Sequence, residues 1–333
     1  MIHEVLEDLC WPEPDARFSG FQFSLSVNGE VTRSGFGGTT EAGAGADHIT
    51  SETVFDLASV TKLFTASLAA VLHAEGEIDL DAPLSSWTSL TGSLGELSTR
   101  QLLTHTSGLP PWWEEQDSRA ATIAVLKGLV PDQRQVGELV YSCTGYSLFA
   151  VCLEERFGVG FDALLRERLL APIGLDGVVF NPDITSTSIA VAKETVEEIA
   201  PGLVHDPRAR AMAGVSGNAG LFANARNTVK FFSEVINPES ALFVAKAKHE
   251  LFTPTEQGEW DQGIGFRHND VGRLGAASHF FSHSGFTGTL ALVEPESQVV
   301  GVLLTNRLQC NTTREEMAVV YQKFAEWVGG QVG

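Results

Sequence analysis

The sequence predicts an α/β protein: an antiparallel β-sheet flanked by helices, with an all-helical companion part. Three observations predict it. Strand-like alternation lies near the N-terminus. Strand-like runs return after Phe280. The stretch between them is helical and broken by Gly and Pro. A chain of 333 residues fits one large or two modest domains. The reading places the α/β part in residues 1–85 and 233–333 and the mainly helical part in residues 86–232.

The elements follow in order. Phe21, Phe23, Leu25 and Val27 alternate up to Asn28-Gly29, and Val31 resumes beyond. Asn-Gly between alternating segments is a strong hairpin signal. A Gly-rich loop spans Gly35 to Gly45. Its glycines are scattered and no helix follows at once, so a phosphate-binding loop is not indicated. The run Leu57 to Leu72 is almost wholly apolar and should be a helix ending near Gly76. Shorter helical segments follow at Thr99 to Leu103, Ala120 to Leu129, Gly145 to Arg156 and Phe161 to Leu170. Strands are expected at Phe280 to Ser284, Thr287 to Val293 and Val299 to Thr305. Glu294-Pro295-Glu296-Ser297 turns between the last two. Thr312 or Thr313 caps a closing helix that runs to about Val328.

The net charge is −20, which argues against nucleic acid and anionic membranes as partners. The N-terminal segment carries acids where a signal peptide needs basic residues, and no run is long enough to span a bilayer, so a cytoplasmic location is expected. Cys10, Cys143, Cys152 and Cys310 form no close pair, which fits reduced thiols. His279 and His283 are four apart in a segment that reads as a strand, with no further ligand in place, so no metal is expected.

The chemistry centres on Ser59-Val60-Thr61-Lys62. Apart from hydroxyl residues, Lys62 is the only polar side chain from Leu57 to Leu72. A helix without a polar face is buried all round, and Lys62 goes in with it. A buried ammonium must be paired, or its pKa must fall. Ser59 lies one turn before Lys62 on the same face, and a desolvated lysine can act as base for a serine nucleophile. The bland reading is a capping serine and a snorkelling lysine. Tyr141-Ser142-Cys143 precedes a helix; Tyr141 near an ammonium can exchange protons with Ser59, or be a bonded core aromatic. His283-Ser284-Gly285-Phe286 falls at a strand end. There Gly285 would admit a substrate backbone, and the amide of Phe286, with that of Ser59, could hold an oxyanion. Leu103-Thr104-His105-Thr106-Ser107-Gly108-Leu109-Pro110 reads as a polar turn.

In that order these segments resemble the serine β-lactamase and penicillin-binding-protein superfamily, in its class C-like branch. FDLASVTKLFTA resembles the nucleophile motif, LLTHTSGLP the loop after it, YSCTGYSLFA the tyrosine motif, HSGFTG the third motif and LLTNR the last strand. The likeness runs from about Phe21 to the last helix. Gly202-Leu203-Val204-His205-Asp206 and GVSGNAGLF at 214–222 resemble a block of penicillin-binding protein 4B-like proteins and exo-acting N-acetylmuramyl-L-alanine amidases. Asn218 stands where that block usually has histidine. The resemblance implies a β-lactamase/transpeptidase-like fold. It also implies a serine hydrolase working through a covalent acyl-enzyme, with Ser59, Lys62 and Tyr141 catalytic and Phe286, His283, Ser284, Gly285 and Cys143 at the oxyanion and substrate.

Two departures bear on the substrate. Cys143 stands where the tyrosine motif carries Asn or Asp, and a thiol replaces an amide poorly. His283 stands where β-lactamases carry Lys, and a histidine is half-charged at neutral pH. Both favour an esterase, or an amidase on a different acyl group, over a β-lactamase; a carboxylic ester is the broad expectation for the substrate. The alternatives are an amidase or D,D-peptidase on peptidoglycan fragments, a β-lactamase, or an inactive binding module of the same fold. A small ester, amide or muropeptide is the expected partner, with no metal or organic cofactor. A nucleophile elbow of the α/β-hydrolase kind, G-x-S-x-G, is missing from the sequence.

Overall fold

The computed structural model describes residues 2–192 and 199–331. The N-terminal hairpin forms as its sequence directs. β1 (Gly20–Val27) and β2 (Glu30–Gly38) pair antiparallel across Asn28-Gly29. Both turn residues have positive φ, 52° and 79°, the geometry that an Asn-Gly turn favours between twisted strands.

Further along the chain come β3 (Val54–Asp56), β4 (Val178–Phe180), β5 (Ile189–Ala190) and β6 (Leu221–Ala223). Then come β7 (Glu256–Gln257), β8 (Asp261–Gln262), β9 (Arg267–His268), β10 (Phe281–Ser284), β11 (Leu290–Glu294) and β12 (Val299–Thr305). The main sheet has eight strands in the order β2-β1-β12-β11-β10-β9-β8-β7, and its recorded pairs are all antiparallel. Hairpin strands and late strands therefore share one sheet, as the sequence indicates. β1 lies directly against β12, with Phe21 opposite Thr305 and Val27 opposite Val299.

Helices cover both faces. Phe21, Phe23, Leu25 and Leu303 pack on one side with Met317, Phe324 and Val328 of the closing helix Arg314–Gly329. Val300, Val302 and Leu304 point the other way, toward Val229, Phe231 and Phe232 of the helix Ala225–Ile236. Successive side chains of a strand alternate in direction, so Leu303 and Leu304 serve different cores. The closing helix starts with a reciprocal capping box between Thr313 and Glu316.

The apolar run from Leu57 becomes a short 3-10 turn, Ala58–Val60, and then the helix Thr61–Ala74. That helix is buried from Thr61 through Leu72, Lys62 included. Phe64 stacks on Phe231 with ring centres 4.1 Å apart. Gly76, at φ +77°, lies just past its end.

Several boundaries differ from the sequence reading, among them three near the candidate site. The helix expected from Gly145 starts at Cys143 and runs to Phe157, because the Ser142 hydroxyl caps it. β11 starts at Leu290, since Gly285 to Gly288 forms a tight turn closed by Gly285 N–H to Thr289 O and Gly288 N–H to Gly285 O. His279 lies before β10 rather than in it. A second sheet, β4-β6-β3-β5, was not legible, as its strands have only two or three residues. It joins β3, from the early part of the chain, to strands within the helical stretch. Among the described residues no helix is long and apolar enough to cross a membrane.

Candidate active site

The site is built around the turn that carries Ser59. Ala58 has φ +45°, a left-handed conformation that costs a non-glycine residue about 1 kcal/mol. Neighbouring groups hold that turn in place. Ala58 N–H donates to Asp56 Oδ1 at 2.8 Å, and Leu57 N–H donates to Leu221 O at 2.9 Å. The Thr287 and Thr289 hydroxyls, from the β10–β11 turn, donate to Asp56 O and Leu57 O at 2.8 and 2.9 Å. The turn is thereby fastened to the end of β10.

Gly285 belongs to the same fastening. A side chain there would lie 2.1 Å from Thr289 Oγ1 and 2.6 Å from Leu57 O. The close approach that requires glycine is thus to the chain's own Ser59 turn.

The structure brings Ser59, Lys62, Tyr141 and Cys143 together. Lys62 Nζ donates to Ser59 Oγ at 3.0 Å, to Asn218 O at 3.0 Å and toward Cys143 Sγ at 3.4 Å. Tyr141 donates its hydroxyl to Ser59 Oγ at 3.1 Å. Ser59, Tyr141 and Cys143 are half-buried, whereas Lys62 is wholly buried. Burial pushes the Lys62 pKa down, but attraction to Cys143, Tyr141 and Asp206 outweighs it. The net position is above the usual lysine value. Lys62 is therefore paired within the fold, by its bonds to Ser59 Oγ and Asn218 O.

The tyrosine segment is positioned by the loop that the sequence marked only as a turn. His105, at φ +62°, accepts from Ser142 N–H through Nδ1 at 3.1 Å, and its carbonyl accepts from Val140 N–H at 2.9 Å. Pro110 O accepts from the Ser142 hydroxyl and Pro111 O from Cys143 N–H. The His105 ring lies 4.6 Å from that of Tyr141. Burial, with the Arg267 and Lys62 cations nearby, holds His105 well below the usual histidine range.

His283 lies on β10, buried, with Nδ1 2.8 Å from Ser284 O. Burial, then the Arg267 and Lys62 cations, pushes it well below the usual histidine range. It is neutral at pH 7, not half-charged as expected from the residue type. Ser284 and Phe286 are half-buried at the strand end. The N–H groups of Ser59 and Phe286 donate to no backbone acceptor among the described residues.

Four positioning groups have a role that the sequence did not assign. Asp56 is buried; it takes Ala58 N–H on one oxygen and His205 N–H, at 2.7 Å, on the other. Burial raises its pKa to about 6. Asn218 accepts from Lys62 through its carbonyl. Its side chain accepts from the Ser147 and Ser216 hydroxyls and donates to Asp206 Oδ2 at 2.7 Å. The amide at 218 thus serves donor and acceptor sides at once, and it links Asp206 to Lys62. Arg267, on β9, lies 4.9 Å from the centre of the Tyr141 ring. Asp56, Asp206 and Asn218 stood within quoted motifs, but only the folded chain shows their partners.

A serine hydroxyl held between an ammonium and a phenol, where a buried helix meets the end of a sheet strand, is the arrangement of a serine hydrolase. A family model described as Beta-lactamase matches residues 6–326, and the chain belongs to that family. It is 25% identical to a "Putative D-alanyl-D-alanine carboxypeptidase" of Escherichia coli O157:H7, over 78% of this chain and 70% of the relative. It is 26% identical to the "N-acetylmuramyl-L-alanine amidase" of Bacillus subtilis (strain 168), over 77% of this chain and 68% of the relative. Among solved structures, a class C beta lactamase superposes with a TM-score of 0.79 at 17% identity, covering 98% of each chain. The Beta-Lactamase/D-Alanine Carboxypeptidase from Pseudomonas syringae gives 0.78 at 19% identity, covering 99% of this chain and 96% of the other.

Proposed function

We propose that Ser59 attacks a substrate carbonyl to give a covalent acyl-enzyme, which water then releases. The observation that carries this is the convergence of Lys62 Nζ and the Tyr141 hydroxyl on Ser59 Oγ, at 3.0 and 3.1 Å. Tyr141 as phenolate takes the serine proton, and Lys62 as ammonium steadies the negative charge that passes from one oxygen to the next. The amides of Ser59 and Phe286 hold the oxyanion, and Ser284 faces the substrate beside them. In the second step Tyr141 activates water against the ester carbonyl of the acyl-enzyme.

For the substrate we propose an amide in a peptidoglycan fragment. The support is the pair of relatives named as a D-alanyl-D-alanine carboxypeptidase and an N-acetylmuramyl-L-alanine amidase. A carboxylic ester is the second reading. It is favoured by Cys143, whose thiol contacts Lys62 where the family's amide would also hold a substrate carbonyl.

Incubation with a fluorophosphonate and with penicillin tests the nucleophile. One adduct is expected on the peptide containing Ser59, and none in Ser59→Ala. An adduct that persists in Ser59→Ala overturns the assignment. Turnover of muramyl-L-alanine peptides, D-alanyl-D-alanine peptides and short-chain esters, compared side by side, separates the two substrate readings.

A further inference from the structure

The third motif of this chain has lost its cation. His283 is neutral in the fold, so no positive charge is supplied from the position where β-lactamases carry lysine. The neighbouring strand does supply one. Arg267 lies on β9 directly opposite Ser282 of β10, one residue from His283. It is buried, with 6% of its surface exposed. Its guanidinium lies between two rings, 3.9 Å from the centre of Trp260 and 4.9 Å from that of Tyr141. Among the described residues its Nε has no hydrogen-bond partner, and its carboxylate neighbour, Asp270, stands off at 3.6 Å. Asp270 bonds more closely to Arg273, at 2.8 Å. A buried guanidinium with so little local compensation is expensive unless its charge is used.

We propose that Arg267 is a positioning residue that supplies the permanent positive charge favouring the phenolate form of Tyr141, in place of the side chain at 283. This rests on the reading of Tyr141 as the group that takes the Ser59 proton. In that step the phenolate oxygen gains the proton, Ser59 Oγ bonds to the carbonyl carbon, and the carbonyl electron pair moves to its oxygen. Arg267 acts on the state before the transfer.

The other groups that face Tyr141 do not fill this role. His105 and His283 are held neutral. Burial pushes the Tyr146 phenol above its usual range, so it stays protonated. Cys143 brings no positive charge. Lys62 is a second cation beside Tyr141, 5.2 Å from its ring centre, but it donates to Ser59 Oγ and Asn218 O, so its charge is shared with those oxygens. Arg267 is pushed down to about 10, by burial first and by Arg273 second, against attraction to Tyr141 and Asp270. It remains charged at neutral pH, and a guanidinium does not release its proton under working conditions.

The chain offers a direct readout. It has three tyrosines, Tyr141, Tyr146 and Tyr321. Burial pushes Tyr321 up to about 12, and Tyr146 higher still. The phenolate absorbance that disappears in Tyr141→Phe is the one that belongs to Tyr141. In Arg267→Gln the Tyr141 transition should move to higher pH. Arg267→Lys should restore most of it. Asp270→Asn, which removes the counter-ion of Arg267, should move it the opposite way. It also keeps the proposal testable if Arg267→Gln does not fold. The acidic limb of kcat/KM for a p-nitrophenyl ester should move in parallel. The titration needs no turnover, so it reads this proposal even if Ser59 is not the nucleophile. An unchanged transition in Arg267→Gln, or in Asp270→Asn, overturns the proposal. A uniform loss of kcat with an unmoved pH profile does so as well, since that marks a merely structural arginine.

Discussion

Asp56 offers a test in which stability and catalysis separate. Its carboxylate holds the Ser59 turn by two backbone N–H groups, yet burial raises its pKa from 3.8 to about 6. The folded state therefore binds the proton more tightly than the unfolded state does. Stability from this group is fully present below about pH 3.8 and is lost as pH rises through about 6. At neutral pH the ionised Asp56 costs about 3 kcal/mol relative to its protonated form, taking about 1.4 kcal/mol per pKa unit. Asp56→Asn removes that titration. Its amide oxygen can still accept one N–H, while its NH2 faces the other, so about 1 to 3 kcal/mol of hydrogen bonding is lost at every pH. Relative to wild type, the variant should gain about 2 kcal/mol of unfolding free energy between about pH 4.5 and about pH 7. Urea unfolding of both proteins across that range measures the difference directly. Activity should fall even where stability does not, because one tether of the Ser59 turn is gone. A stability difference that stays constant with pH would refute the reasoning.

Two other outcomes are expected. Lys62→Met and Tyr141→Phe should each cost several kcal/mol of transition-state stabilisation, with the double variant little worse than the worse single, as for residues that act as a unit; fully additive losses in kcat/KM would mean that they work independently. Cys143→Asn should raise the ratio of amide to ester turnover by about tenfold, the worth of about 1.4 kcal/mol from a charge-assisted bond to Lys62 in place of a thiol contact; a ratio left at the wild-type value, measured on matched substrates, shows that the side chain does not select between them.

The features legible in the sequence share one property: they depend on residues close together in the chain. Ser59 and Lys62 meet because three residues of helical chain put them on one face, and the apolar run around them announces burial. Asn28-Gly29 specifies its hairpin by the same kind of local rule. Tyr141 was legible through its motif. What the sequence concealed depends on register between distant segments. Arg267 reaches Tyr141 only because β9 pairs with β10 one residue away from His283. Asp56 reads as part of an apolar motif until His205, far along the chain, donates to it. His283 gave the wrong charge state, because residue type sets the starting pKa while burial and a neighbouring guanidinium set the final one. Gly285 announces a close approach in the sequence, but only the fold shows that the Ser59 turn is one of the neighbours that need it.

The pairing of β1 with β12 also governs how this chain must come together. The first strand of the sheet, at Gly20–Val27, has β2 on one side and waits for residues Val299–Thr305 on the other. On the ribosome, every residue between Val27 and Val299 must emerge before that partner exists. Until then the hairpin has one open side and an apolar surface without its helical cover. Closing so large a loop delays the contact, as in other topologies built on distant pairs. Chaperone capture of the nascent hairpin, and aggregation of chains truncated before Val299, are the hazards that this arrangement creates.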